Sequence, residues 1–259
     1  MFQSPQVSLG TDFARALDPA LLARDCGFQQ LDDWQQSLLL STSRRVLLCC
    51  SRQAGKSTIT ALMALHEALY APPAMIILIS PSQPQSTELF KKIHAFWQRL
   101  PGAPEAAQET LTRMQLANGS RIVSLPGSDK TTRGYSGATL VVMDEAARVD
   151  DELLAAVRPM LATTDGRFVG LSTPAGKRGW FYEEWQHGEG WERISVTADQ
   201  CPRITPQFLA DEKDALGPLR FEQEYMCIFH DAETSAFQSE LIEAALVDDF
   251  RPFLPAHAA

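Results

Sequence analysis

The residues best suited to chemistry lie where an apolar run breaks. Val46-Leu-Leu-Cys-Cys50 gives way to Ser51-Arg-Gln-Ala54 and then to Gly55-Lys56-Ser57-Thr58, after which a helical pattern begins near Lys56. A strand, a tight loop and a helix in that order form a phosphate-binding loop, in which inward-facing backbone N–H groups and the positive end of the helix dipole collect a polyphosphate. Gly55 lets the backbone approach the phosphates, Lys56 supplies a point charge to the β and γ oxygens, and the Ser57 hydroxyl suits a Mg²⁺ ion. The pattern departs from G-x-x-x-x-G-K-[ST] at its first position, where Cys50 replaces glycine. A nucleoside triphosphate is the expected ligand. The plain alternative is a chance Gly-Lys-Ser in a strand-to-helix turn.

A second run, Thr139-Leu-Val-Val-Met143, ends in Asp144-Glu145. An apolar run of this length reads as a strand buried on both faces of a parallel sheet, and ligands of such sheets collect at the C-terminal ends of the strands. Asp144 is therefore expected to hold Mg²⁺. Glu145 can turn toward the γ-phosphate, where a carboxylate orients and deprotonates water, so hydrolysis is favoured over binding alone. The competing reading is that the two carboxylates merely cap a helix beginning near Ala146.

Ser172-Thr173-Pro174 follows a third strand, Arg167 to Leu171, at the same sheet edge. Its hydroxyls can hydrogen-bond the γ-phosphate or Glu145, or simply cap a turn. Arg52 sits inside the loop, where a fixed guanidinium could stabilise γ-phosphate charge in its own subunit. His66, His94, His187, His230 and His257 are scattered and indicate neither a metal centre nor a hydrolase triad. Cys26, Cys49, Cys50, Cys201 and Cys227 lack metal-ligand spacing and read as reduced, cytosolic residues.

These groups need a scaffold, and strands alternating with helices supply it. Helices are expected over 18–24, 32–40, 56–70, 85–100, 150–161 and 180–186, with two more before Cys227. Strands are expected over 45–50, 75–80, 140–143, 167–171 and 191–196, and a hairpin over 110–125 around Ala117-Asn-Gly-Ser120. Strands with crossover helices imply a doubly wound, mainly parallel sheet. The aromatic group Trp180, Phe181, Tyr182 and Trp185 reads as packing between that sheet and a C-terminal subdomain. At 259 residues, 45% hydrophobic and 21% charged, the chain can bury one large core. No apolar run approaches the roughly 18 residues of a membrane span, and the N-terminus lacks the pattern of a signal peptide. A net charge of −9 argues against a uniformly basic nucleic-acid binder but leaves room for a local basic patch or a ring pore.

Ser51-Arg-Gln-Ala-Gly-Lys-Ser57, Val141-Val-Met-Asp-Glu145 and Leu171-Ser-Thr-Pro174, in this order, resemble the ATPase domain of the large terminase subunit of tailed bacteriophages. Leu31-Asp-Asp-Trp-Gln35 resembles that family's adenine-reading segment. Arg133-Gly134 precedes the second motif as in many members, and Arg220-Phe-Glu-Gln-Glu-Tyr225 resembles its C-terminal ATPase subdomain. The resemblance covers about residues 28–240.

It implies an α/β P-loop NTPase fold of the ASCE/RecA-like type with a small C-terminal helical subdomain. The ATPase core would occupy residues 1–200, with the adenine segment near 28–40, and the subdomain and start of a linker 201–259. It implies ATP bound by Gln35 and by the loop Arg52, Gln53, Ala54, Gly55, Lys56, Ser57 and Thr58, Mg²⁺ held by Ser57 and Asp144, and Glu145 as base. Ser172 and Thr173 would couple hydrolysis to subdomain movement. Gln35 can both donate to and accept from an adenine edge; a solvent-facing Gln35 is the alternative. Arg133 falls at an arginine-finger position, a role contributing on the order of 10³ to 10⁵ in rate, although Arg133 and Lys130 could instead touch DNA phosphates or neither. The implied partners are double-stranded DNA, a portal protein and a small terminase subunit, in a ring on the portal, with the isolated chain mostly monomeric. The implied location is the cytoplasm of the bacterial host. The family's nuclease domain is absent from this sequence, so no nuclease activity is expected. A helicase-like remodelling ATPase, a small-molecule kinase and a nucleotide-gated assembly protein without turnover are the rival functions.

Overall fold

The structure, a computed structural model, describes residues 7–127, 132 and 134–231. Among the described residues, eight strands form one sheet: β1 (Arg45–Cys50), β2 (Met75–Ser80), β3 (Ala106–Glu109), β4 (Arg113–Leu116), β5 (Arg121–Pro126), β6 (Leu140–Asp144), β7 (Arg167–Ser172) and β8 (Glu192–Val196). Their order is β3-β4-β5-β2-β6-β7-β1-β8. The six strands from β5 to β8 run parallel, and β3 and β4 add antiparallel to the β5 edge. The expected hairpin is β4 and β5; β3, whose Ala-Ala-Gln-Glu sequence carries little strand propensity, joins it at the edge.

The helices are α1 (Leu9–Leu17), α2 (Pro19–Asp25), α3 (Asp33–Leu40), α4 (Lys56–Tyr70), α5 (Gln83–Arg99), α6 (Asp151–Val157), α7 (Gly179–Gln186), α8 (Pro206–Leu216) and α9 (Pro218–Tyr225). The expected helix over 150–161 ends at Val157 and continues as a 3₁₀ turn from Arg158 to Leu161. Pro159 removes the backbone N–H that an α-helix would need there.

Both sheet faces are covered. Val46, Leu48, Ile76 and Leu78 pack on one side with α4 and α5, while Leu47, Ile77, Ile79 and Val141 pack on the other with α6 and α7. This two-sided burial is why the strands read as continuous apolar runs instead of alternating. Each fully buried Leu or Ile contributes about 1.5–3 kcal/mol. On the second face, buried Trp180 packs on Phe168 and on buried Phe181, and Phe229 packs on Phe181, Tyr182 and Trp185. The segment following α9 therefore closes that face, while α8 and α9 make a separate small cluster around Ala198, Phe221 and Tyr225.

The strand order places β7 between β1, which carries the loop, and β6, which ends in Asp144. That insertion is the arrangement of the ASCE/RecA-like P-loop fold. In register, Cys49 lies beside Ser172 and Leu171 beside Asp144. Three separated sequence motifs thus end side by side at one sheet edge.

Candidate active site

The loop leaves β1 with its backbone anchored on both sides. The Ser51 N–H donates to the Val196 carbonyl at 2.8 Å and the Arg52 N–H to the Glu224 carbonyl at 3.0 Å. Gln53 has φ 61° and Gly55 φ 92°, so the left-handed turns fall at these two positions. Cys50 is the last residue of β1, beside Val196, and its side chain is in the core. The first glycine of the usual pattern is dispensable because position 50 needs no left-handed backbone.

Gly55 precedes α4 and brings no side chain to cap its first turn. Its positive φ favours glycine, and a Cβ at this position would stand a tight 3.0 Å from Gln35 Nε2, which would have to shift slightly.

Lys56 is buried, with Nζ 3.7 Å from Glu145 Oε1. Ser57 Oγ donates to Asp144 Oδ2 at 2.9 Å, while Asp144 Oδ1 accepts the Glu145 N–H at 2.9 Å. Burial, and secondly the Glu145 charge, raises the Asp144 carboxyl above its ordinary range, against the pull of Lys56 and these hydrogen bonds. A cation beside it would favour the ionised form. Two hard oxygen donors, a hydroxyl and a buried carboxylate already in contact, fit Mg²⁺.

Glu145 adopts φ 53° and ψ 40°, an uncommon backbone for a non-glycine residue. Such strain costs on the order of 1–3 kcal/mol and is typical of functional sites. It does not cap the following 3₁₀ turn with its side chain. Arg148 Nη1 instead holds Glu145 Oε2 at 2.6 Å and donates to Thr173 Oγ1 at 3.1 Å. Among the described residues, the buried Ser172 Oγ has no hydrogen-bond partner.

Arg52 Nε pairs with Glu224 Oε2 at 2.7 Å, and Arg148 Nη2 lies 3.5 Å from Glu224 Oε1. Glu224, on α9, thus joins the loop arginine to the residue that holds Glu145. Gln35 is buried, not solvent-facing, and its Oε1 accepts the Asp32 N–H at 3.1 Å in a capping box at the start of α3. Arg133 and Lys130 lie outside the described residues.

One cavity of about 1040 Å³ joins these groups, lined by Gln35, Arg52, Gln53, Gly55 to Thr58, Glu145, Arg148 and Thr173, and also by Phe28, Arg203, Ile204 and Phe208. Its size is at the upper end of small-molecule sites. Arg148, Glu224 and Arg203 escaped sequence reasoning. Arg148 had one faint signal, its position three residues after Glu145.

The chain matches the family model described as Terminase large subunit, T4likevirus-type, N-terminal, over residues 47–244. The chain belongs to the terminase large-subunit family. The terminase large subunit of Thermus virus P23-45 is 30% identical over 168 residues, which cover 58% of this chain and 34% of that protein. The terminase chain therefore spans about a third of the curated relatives it matches. In fold it is similar to the large terminase ATPase domain of Thermus phage P74-26, with TM-score 0.67 and 22% identity over 80% of this chain and 96% of that one. It is also similar to a large terminase from a thermophilic bacteriophage solved in complex with ADP, with TM-score 0.64 and 10% identity over 77% of this chain and 54% of that one.

Proposed function

We propose that this terminase chain is an ATP-hydrolysing motor domain that drives double-stranded DNA into viral procapsids in the cytoplasm of the bacterial host. The observation that carries the reading is the contact of Ser57 with Asp144, with Glu145 alongside Lys56, where Lys56, Ser57 and Glu145 line one cavity at the ends of β1, β7 and β6.

In this reading the phosphates of ATP lie along Gly55 to Thr58 and the base lies toward Gln35. Ser57 and Asp144 would hold Mg²⁺, which would supply positive charge to the phosphates. Glu145 orients water and accepts its proton, and Arg148 positions the Glu145 carboxylate. Thr173 is tied to Glu145 through Arg148, while the Ser172 hydroxyl, buried and without a partner among the described residues, suits a sensor of the γ-phosphate. Arg52 and Arg148 both meet Glu224, so a change of phosphate charge at the loop would be felt by α9. Residues 201–231 then act as a small subdomain that moves with the nucleotide state. Arg133 is assigned to a neighbouring subunit's site in a ring on a portal protein, with a small terminase subunit as a further partner.

Phosphate release with and without double-stranded DNA tests this function. Release that depends on ATP and rises with double-stranded DNA is the expected result. Stimulation by single strands alone would favour a helicase-type remodeller, and bound ATP without release an assembly protein.

The loop geometry makes a separate prediction. Cys50→Gly is expected to keep ATP affinity within about threefold, because the left-handed positions are 53 and 55. It should nevertheless lower stability by about 1–3 kcal/mol, from the lost core side chain and a glycine in a strand. Calorimetric titration and thermal melts read the two effects separately.

A further inference from the structure

Arg203 lies between β8 and α8 and reaches back across the cavity wall. Nη1 and Nη2 grip the two carboxylate oxygens of Asp32 at 2.8 and 2.6 Å, and Nη2 also donates to the Ala54 carbonyl of the loop at 3.1 Å. Asp32 is the N-cap of α3, and its own N–H is taken by Gln35 Oε1. The Gln35 amide is thereby fixed: its oxygen is tied to Asp32 and its Nε2 faces Gly55. We infer that Arg203 is a positioning residue that locks the Gln35 amide against the loop and so sets the preference of the site for adenine over guanine.

The inference rests on the ATP reading of the cavity. A locked amide presents one donor and one remaining oxygen lone pair, which match a ring-nitrogen acceptor beside an amino group, as in adenine. Guanine places a carbonyl where adenine has its amino group and meets the oxygen lone pair. An amide free to rotate could serve either base. The forked guanidinium holds the Asp32 carboxylate in a defined plane, where an ammonium would define only a point, and so steadies Asp32, whose N–H holds Gln35 Oε1. Ile204, Phe28 and Phe208 also line the cavity and offer apolar surface for a ring.

The test is calorimetric titration of the full chain with Mg²⁺ and three ligands: ATP, GTP and inorganic tripolyphosphate. For Arg203→Ala, ATP affinity should fall about tenfold, the size of one charge-assisted interaction, with tripolyphosphate within about twofold and the ATP/GTP ratio reduced by a similar factor to ATP. Arg203→Lys, which keeps the charge without the fork, should fall between wild type and alanine for ATP. It carries the test if the alanine variant does not fold. Adding Gln35→Ala to Arg203→Ala should cost little more, because both act through one contact. Equal losses for ATP and tripolyphosphate would overturn the inference by placing Arg203 on the phosphates, as would an unchanged ATP/GTP ratio. Wild-type protein that binds tripolyphosphate and ATP alike overturns base reading while leaving the phosphate site intact; wild-type protein that binds none of the three defeats the ATPase reading itself.

Discussion

Glu145→Gln is expected to bind ATP about as tightly as wild type and to lose at least about 10²-fold in turnover, the contribution of a positioned general base. The amide keeps the size and much of the hydrogen bonding of the carboxylate but cannot accept a proton from water. The strained backbone at Glu145 and its pairing with Arg148 and Lys56 hold the side chain at the loop, so the substitution removes chemistry more than architecture. Titration with ATP and steady-state phosphate release check the two halves independently. Near-normal turnover would remove Glu145 from the role of base.

Lys56→Ala carries the second large effect. The Lys56 ammonium is buried beside Glu145 and opens the first turn of α4, where it can reach β and γ oxygens. Its removal should weaken ATP binding by about 10²-fold or more and abolish hydrolysis, because a charge-assisted contact to phosphate in a buried site contributes about 1.5–3 kcal/mol and the β and γ oxygens then lack their fixed counter-charge. The loss should be larger for ATP than for AMP, which lacks those oxygens. Titration with both ligands reads this, and an equal loss for the two would place Lys56 away from the terminal phosphates.

The parts of this site that were legible in the chain are those in which a local pattern fixes position. A strand, a glycine with a left-handed turn and a helix are contiguous, so Gly55, Lys56 and Ser57 could be read from their own neighbourhood. Asp144 and Ser172 each end a buried run, and strands of a parallel sheet deliver their ends to one edge. What was illegible depends on pairs far apart in sequence. Arg203 meets Asp32 across 171 positions and Arg52 meets Glu224 across 172, and neither arginine carries a local mark of its partner. Gln35 was visible as an amide upstream of the loop, but its burial and its part in the capping box follow only from the packing of α3.

Two elements escaped for a different reason. Helix α1 has Leu9, Phe13 and Leu17 on its solvent side and buries Arg15, which pairs with Asp25 at 2.6 Å and donates to the Pro101 carbonyl at 2.9 Å. A rule that turns apolar stripes inward misreads such a helix. Strand β3 is held in place by its pairing with β4 and not by the preferences of Ala106 to Glu109.

The central claim is that this cavity delivers the γ-phosphate of ATP to water, and a single-turnover experiment tests it most directly. Protein in excess over γ-labelled ATP, with Mg²⁺, is quenched over time and the label is followed. Wild-type protein should convert the label to inorganic phosphate in one phase, while Glu145→Gln protein should hold it as bound ATP. Label that stays in bound ATP with wild-type protein, or that passes to an acceptor other than water, would contradict that claim.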